Sequence, residues 1–340
     1  MSGAHQLLFG YSDGHRLLSG SRDVDAETLL RLLGATDAPA EAGSAPLITG
    51  LPLPGQHDYA FCVSWNAPEA RRRGAVWGHA LLVDVRRLQD PEACAALLQL
   101  PRRPPADGPD LAAYATPLEL DGARGDSVGL TPQPRDRELL ARIAFAAYGS
   151  TSDGIVVEED LGAAARGVLA LWRAQWPQLR AGYSFRTRAV VRREDSSFDL
   201  TVAAKVRGLD EGAVTSADTP GWARAIADDL LSERPTSLRE FLWVHGPPEP
   251  ANRHSVRHLT KVWLRVAAAD PVGVRTQLER YWPSADDGSR LKRSLFGNAE
   301  NRWWQLDERA RVRTLLDGDP QAWDGDDLEL EHRARALALR

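Results

Sequence analysis

The sequence predicts an α+β protein, with a largely antiparallel sheet and flanking helices in residues 1–205, followed by an all-α helical domain. Three observations predict it. Short runs rich in aromatic and β-branched residues, bounded by turn residues, recur up to residue 204 and alternate with helical periodicity. Prolines crowd residues 101–134 and mark a long loop. Composition changes near residue 210, and beyond it every strong pattern is helical. These features place an α+β domain at 1–210, made of a part at 1–140 that holds His5, His15, His57 and His79 and a βαββ part at 150–205. The helical domain is expected at 215–340.

The first ordered stretch reads as a β-hairpin. The apolar run Gln6–Tyr11 meets a turn at Ser12-Asp13-Gly14, and a second run, His15–Ser19, leaves it. Asp-Gly suits a tight hairpin because Gly takes positive φ without penalty and Asp tolerates it. Asp25 caps a short helix, Ala26–Leu33, which Gly34 is expected to stop. Residues 35–46 read as loop. Strands follow at Tyr59–Trp65 and Ala75–Asp84, joined through Asn66-Ala-Pro68 and the turn Arg71-Arg72-Arg73-Gly74. Asp90-Pro91 is a cap followed by proline at the first helical position, opening a helix to about Leu100.

After the proline-rich loop, Leu139, Leu140, Ile143, Ala144 and Ala147 form one face of a helix over 135–148. Gly154–Glu158 reads as a strand and Leu161–Trp176 as a helix ended by Pro177. Tyr183–Val191 and Ser197–Ala204 are expected to pair as a second hairpin through Arg193-Glu194-Asp195-Ser196. Helices follow at 220–232, 236–244, 255–268, 271–282, 288–296, 303–317 and 327–339, with Thr236, Ser255 and Asp270 as caps. No fixed repeat period marks a solenoid.

Bulk properties exclude several classes. Hydrophobic content is 43% and charged content 26%, both globular values. Net charge is −5, which gives no overall pull toward nucleic acid or anionic lipid. Lys205, Lys261 and Lys292 are the only lysines, so the basic residues are nearly all Arg, a background bias rather than a binding signal. No basic-then-apolar leader is visible, and no apolar run approaches the roughly 20 residues of a membrane span. Cys62 lies in an apolar strand and Cys94 in a helix, the pattern of small buried hydrophobes in a reducing compartment. A cytoplasmic protein is expected.

The candidate chemistry concentrates near the hairpin. His5, His15, His57 and His79, with Asp13, Asp58 and Cys62, offer imidazoles and carboxylates that bind zinc or move protons in other proteins. Their spacing matches no metal motif, and the plain alternative is histidines bonded to nearby backbone. Cys62 with His79 as base would make a nucleophile pair, but a mid-strand thiol lacks the electropositive, partly exposed setting of a reactive one. No G-x-x-x-x-G-K-[ST] or strand-following G-x-G-x-x-G occurs, so no nucleotide-binding residues are expected. Arg186, Arg188, Arg192 and Arg193 near Tyr183 and Phe185 would suit a nucleic-acid backbone, yet Glu194, Asp195 and Asp199 dilute them. They read better as a solvated sheet face. His254 and His258 stand i,i+4 without a third ligand, and Trp243, Trp263, Trp282, Trp303 and Trp304 recur where helices pack. No cofactor and no metal follow from these patterns.

Several stretches resemble a known family. His5-Gln-Leu-Leu-Phe-Gly-Tyr-x-x-Gly-His-Arg-Leu-Leu-x-x-Ser21 is similar to the opening of the bacterial GTPase-associated proteins of conflict systems. So are Tyr59-x-Phe-x-x-x-Trp65 and Arg73-Gly-x-Val-Trp-x-His-Ala-Leu-Leu-Val83. Leu171-Trp172, Leu179-Arg180, Ser184-Phe-Arg-Thr187, Leu238-Arg-Glu-Phe-Leu-Trp243 and Leu291-Lys-x-x-Leu-Phe-Gly297 resemble that family's later regions. The resemblance implies a partner GTPase, effector modules and an adaptor role in antiviral or inter-bacterial conflict. It makes Gly10, Tyr11, Asp13, Gly14, His15, Trp77 and His79 motif or partner-surface residues and supplies no catalytic residues. The alternatives from the residues themselves are a hydrolase using His15 and His79, with Cys62 or a metal, and a nucleic-acid or peptide-binding module. The hairpin is expected to pair with the strand Val76–Val83, bringing His15 and His79 toward each other across the sheet core.

Overall fold

A computed structural model describes residues 3–37, 46–55, 57–70, 72, 74–120, 131–149, 154–189, 198–204, 219–232, 234–247, 252–283 and 288–296. The chain divides into two compact units, Met1–Trp243 with Pro247–Ser255, and Val244–Gly246 with Val256–Arg340. The expected helices at 303–317 and 327–339, Trp303 and Trp304, and the turn Arg193–Ser196 lie outside the described residues.

The first unit is built on one mixed sheet of β1 (Gly3–Tyr11), β2 (His15–Gly20), β3 (Leu47–Pro52), β4 (Asp58–Asn66), β5 (Val76–Asp84), β6 (Leu118–Glu119), β7 (Ile155–Glu158), β8 (Phe185–Ala189) and β9 (Leu200–Ala204). The strand order is β2-β1-β5-β4-β3-β8-β9-β7, with β6 pairing β1. Every pair from β2 to β8 is antiparallel, whereas β9 lies parallel to both β8 and β7. The expected hairpin of the two late strands is therefore replaced by a parallel pair. Ser184 holds the start of β8 against the start of β9: its N–H and hydroxyl both donate to the Asp199 carboxylate at 2.9 Å, and its carbonyl accepts from Leu200 N–H at 3.2 Å.

α1 (Ala26–Thr36) covers one face of the sheet. Asp25 caps it by accepting from Thr28 N–H at 2.8 Å. The helix runs through Gly34, beyond its expected stop. Tertiary bonds account for the extension: Arg186 donates to the Gly34 and Asp37 carbonyls, and Ser64 donates to the Thr36 carbonyl at 2.7 Å. Leu32 and Ala35 pack on Leu7, Phe9, Leu51, Ala60, Cys62, Ala80 and Leu82. Because strand side chains alternate, Tyr59, Phe61, His79 and Leu81 face the other way.

That second face is covered by helices. α2 (Pro91–Leu97) starts on its Asp90 cap, and α3 (Arg137–Tyr148) and α4 (Leu161–Ala174) follow. The Trp172 ring of α4 stacks on Tyr59 at 5.5 Å and Phe61 at 6.2 Å. Pro177 ends the helical run at 174 but also opens a new helix, α5 (Pro177–Gly182), where its missing N–H costs nothing. β3, absent from the expectations, carries Gly50 in its middle. A side chain there would meet the Phe185 ring and the Tyr59 hydroxyl at 2.4 Å, so the glycine that weakens the strand signal leaves room for side chains of the two flanking strands to lie over β3.

Arg180 joins these parts. Its side chain is 0% exposed. It donates to the Leu88 carbonyl at 2.6 Å, the Cys94 sulfur at 3.1 Å, the Arg173 carbonyl at 2.8 Å and the Gln175 carbonyl at 2.6 Å. Among the described residues no carboxylate pairs with it. Its charge sits instead against the negative, C-terminal end of α4.

α6 (Gly221–Leu230) and the larger part of α7 (Ser237–His245) complete this unit, and Trp243 donates to the Ala174 carbonyl at 2.9 Å. The second unit holds the bulk of α8 (Ser255–Ala267), α9 (Pro271–Tyr281) and α10 (Ser289–Phe296). Asp270 caps α9 through Gly273 N–H at 2.8 Å. His258 stacks on Tyr281 at 3.6 Å, and Lys292 donates to the Trp282 carbonyl at 2.6 Å. Among the described residues no helix is long and apolar enough to cross a membrane.

Replacing Arg180 by Met preserves bulk but leaves buried carbonyls without donors. The expected cost is about 3 kcal/mol or more in urea unfolding. A variant as stable as wild type contradicts this role.

Candidate functional site

The predicted hairpin forms as expected. Tyr11 pairs with His15 across Ser12-Asp13-Gly14, Ser12 N–H donates to the Gly14 carbonyl at 2.9 Å, and φ is 57° at Asp13 and 126° at Gly14. β1 pairs with β5 in the register Leu8 with His79 and Phe9 with Gly78.

That register keeps His15 and His79 apart. His15 stacks on Phe9 at 6.1 Å and reaches α1, its Nε2 lying 3.0 Å from the Thr36 hydroxyl. Thr36 already donates to the Leu32 carbonyl at 2.8 Å, so His15 donates to Thr36 through Nε2–H. Among the described residues His15 Nδ1, which is buried, has no hydrogen-bond partner. Burial lowers the His15 pKa below its ordinary value, with Asp37 opposing. Cys62 shares this α1 face, and burial pushes its thiol up to about 12.

His79 lies on the opposite face and is 1% exposed. Its Nδ1 accepts from Arg102 N–H at 3.0 Å, which leaves Nε2–H to donate to Gln6 Oε1 at 3.1 Å. Gln6 in turn donates to the Ala113 carbonyl at 2.9 Å and the Thr116 carbonyl at 2.6 Å. Tyr114 meets the imidazole edge-on at 5.1 Å. Both ring nitrogens are thus spent on the fold. Burial, with the Arg102 charge adding to it, lowers the pKa to about 4. The sheet itself separates His79 from His15 and Cys62, so neither the two-histidine site nor the Cys62–His79 pair is assembled.

The remaining motif residues line the end of the sheet. Trp77 donates to Glu69 at 2.7 Å, and Arg103 grips both oxygens of that carboxylate at 2.8 and 2.7 Å. Gly10 lies under the Trp77 ring, where a Cβ would sit 2.4 Å from it. Tyr11 is different: it is 38% exposed, and Arg72 lies 4.7 Å from its ring centre while donating to its hydroxyl at 2.7 Å.

The other candidates disperse. His5 lies 3.2 Å from the Ser21 hydroxyl, while Arg22 takes Asp58 at 2.5 Å. Arg186 is committed to α1 and Arg188 is buried, which corrects the expectation of a solvated Arg-bearing sheet face. Its cause is that Arg186 meets the C-terminal end of α1, donating to the Gly34 and Asp37 carbonyls. His254 precedes α8 and contacts the Tyr148 carbonyl at 3.4 Å, while His258 is stacked within the second unit. Among the described residues no three His, Cys, Asp or Glu side chains are arranged to hold a metal.

Residues 3–100 match the family model described as GTPase-associated protein 1, N-terminal domain type 1. No curated protein and no solved structure matches the chain. The matched range covers less than a third of the 340 residues and ends just before the loop that receives Gln6. The matched range comprises β1 to β5, α1 and α2, and His79 within it is bonded to backbone just past its end, at Arg102. Gln6, Thr36, Glu69 and Arg103 were not singled out by sequence. Gln6 had one usable signal: a polar side chain inside an apolar strand must find buried partners.

Two predictions follow from the geometry. The neutral form of His79 contributes stability that is present above the unfolded value of 6.5 and is lost as pH falls through its folded value of about 4. The loss is roughly 3 kcal/mol, with His15 acting in the same direction. A His79→Gln variant should be less stable at pH 7.5 yet lose less between pH 6.5 and 4. Equal acid slopes in the two proteins contradict the assignment. Cys62 and Cys94, both buried and free, should resist a water-soluble disulfide reagent in native protein and react fully in denaturant. Rapid labelling of the native chain would show the packing to be wrong.

Proposed function

We propose that this protein is a non-enzymatic adaptor or regulator that binds a partner GTPase, working in the cytoplasm within a bacterial conflict system and coupling to effector modules. The carrying observation is the match of residues 3–100 to the N-terminal domain of a GTPase-associated protein. The sequence holds no phosphate-cradling glycine motif, which favours nucleotide hydrolysis by a partner. The chemistry-bearing residues near the hairpin are committed to packing and hydrogen bonds within the fold, which weighs against the hydrolase reading. The same holds for Arg186 and Arg188 against the nucleic-acid reading.

Affinity capture of the full chain with the GTPase encoded beside it tests this. Retention in at least one of the GTP-bound, GDP-bound and nucleotide-free states is expected. No association in any state would reject the adaptor role.

A further inference from the structure

Gly10 and His79 are buried, His15 reaches α1, Trp77 is bound to Glu69 and Gly14 makes the turn, whereas the Tyr11 side chain lies exposed. It stands at the tip of the β1–β2 hairpin, at the end of the sheet where the β4–β5 turn approaches, and Arg72 of that turn fixes it through both its ring and its hydroxyl. Arg72 is exposed, as is Arg16, which donates to Ser12 at 3.1 Å on the same tip. An exposed aromatic held rigid by a cation costs little to order on binding, and Tyr and Arg are the side chains that dominate interface energies.

The local charge indicates the partner. Among the described residues of this end, Arg16 and Arg72 stand against Asp13 and Glu69. Glu69 is taken up by Trp77 and Arg103. With Glu69 so engaged, Arg16 and Arg72 outnumber Asp13, and the described side chains of the hairpin end are positive in a chain of net charge −5. We propose that the Tyr11–Arg72 pair, flanked by Arg16, is a docking surface for an acidic face of a folded protein, and, resting on the adaptor reading, that this protein is the partner GTPase. A nucleic acid fits less well. The patch is small, and the Arg72 guanidinium already occupies a face of the Tyr11 ring on which a base would stack.

Titration of the full-length wild type and of the Tyr11→Ala, Arg72→Glu and Arg72→Lys variants against the GTPase tests this, with thermal melts confirming that these exposed changes leave the fold intact. Wild type is expected to bind with salt-sensitive affinity. Tyr11→Ala should weaken binding about tenfold, Arg72→Glu about a hundredfold, and Arg72→Lys less than either. Variants that bind like wild type overturn the docking surface and leave the adaptor reading standing. A wild type that binds in no nucleotide state overturns both. Tyr11- and Arg72-dependent binding of a single-stranded DNA 20-mer without GTPase binding assigns the patch to nucleic acid and overturns the proposal.

Discussion

The hydrogen bond from the His79 imidazole to the Gln6 carboxamide crosses the β1–β5 pair at its centre, and the outer half of the sheet is arranged around it. Gln6 has a single acceptor oxygen, and it is taken by His79. Its amide hydrogens hold the Ala113 and Thr116 carbonyls, so the strap after residue 100 is bound to the sheet through one side chain. Arg102 N–H closes the network on the other imidazole nitrogen. Every strong donor and acceptor of the pair is matched, which is what allows two polar side chains to remain almost wholly buried.

This network also explains why a cluster of histidines near a hairpin makes no assembled site. Strand alternation sends His79 to the strap and His15 and Cys62 to α1. Proximity in sequence became separation by a backbone layer. Arg180 does for the helical face what Gln6 does for the strap: it ties residues 88 and 94 to residues 173 and 175. The matched domain is thus embedded in its own unit and not simply followed by it.

Much of this was legible in the residues. Asp13-Gly14, Asp25, Asp90 and Asp270 announce their turn and caps by local chemistry, and the structure places them so. What was illegible depended on partners distant in sequence. Gly50 reads as a strand breaker until Phe185 and Tyr59 are seen against it. The late strands read as a hairpin because Arg193–Ser196 looks like a turn, whereas Ser184 and Asp199 align their starts. His79 read as a chemical group because its neutralising partners lie 73 and 23 residues away. Tyr11 could be named, but its exposure and its clasp by Arg72 could not.

The range matched by the family model therefore presents a sheet end in which His79 and Gly10 are buried in the frame and an exposed Tyr–Arg pair faces outward. That division rests on His79 being a locked neutral imidazole. ¹⁵N NMR of the histidine side chains across pH 5 to 8 measures it directly. The structure predicts a single Nε2–H tautomer for His79 that does not titrate in that range. An Nδ1–H tautomer, or titration near 6.5, would contradict it.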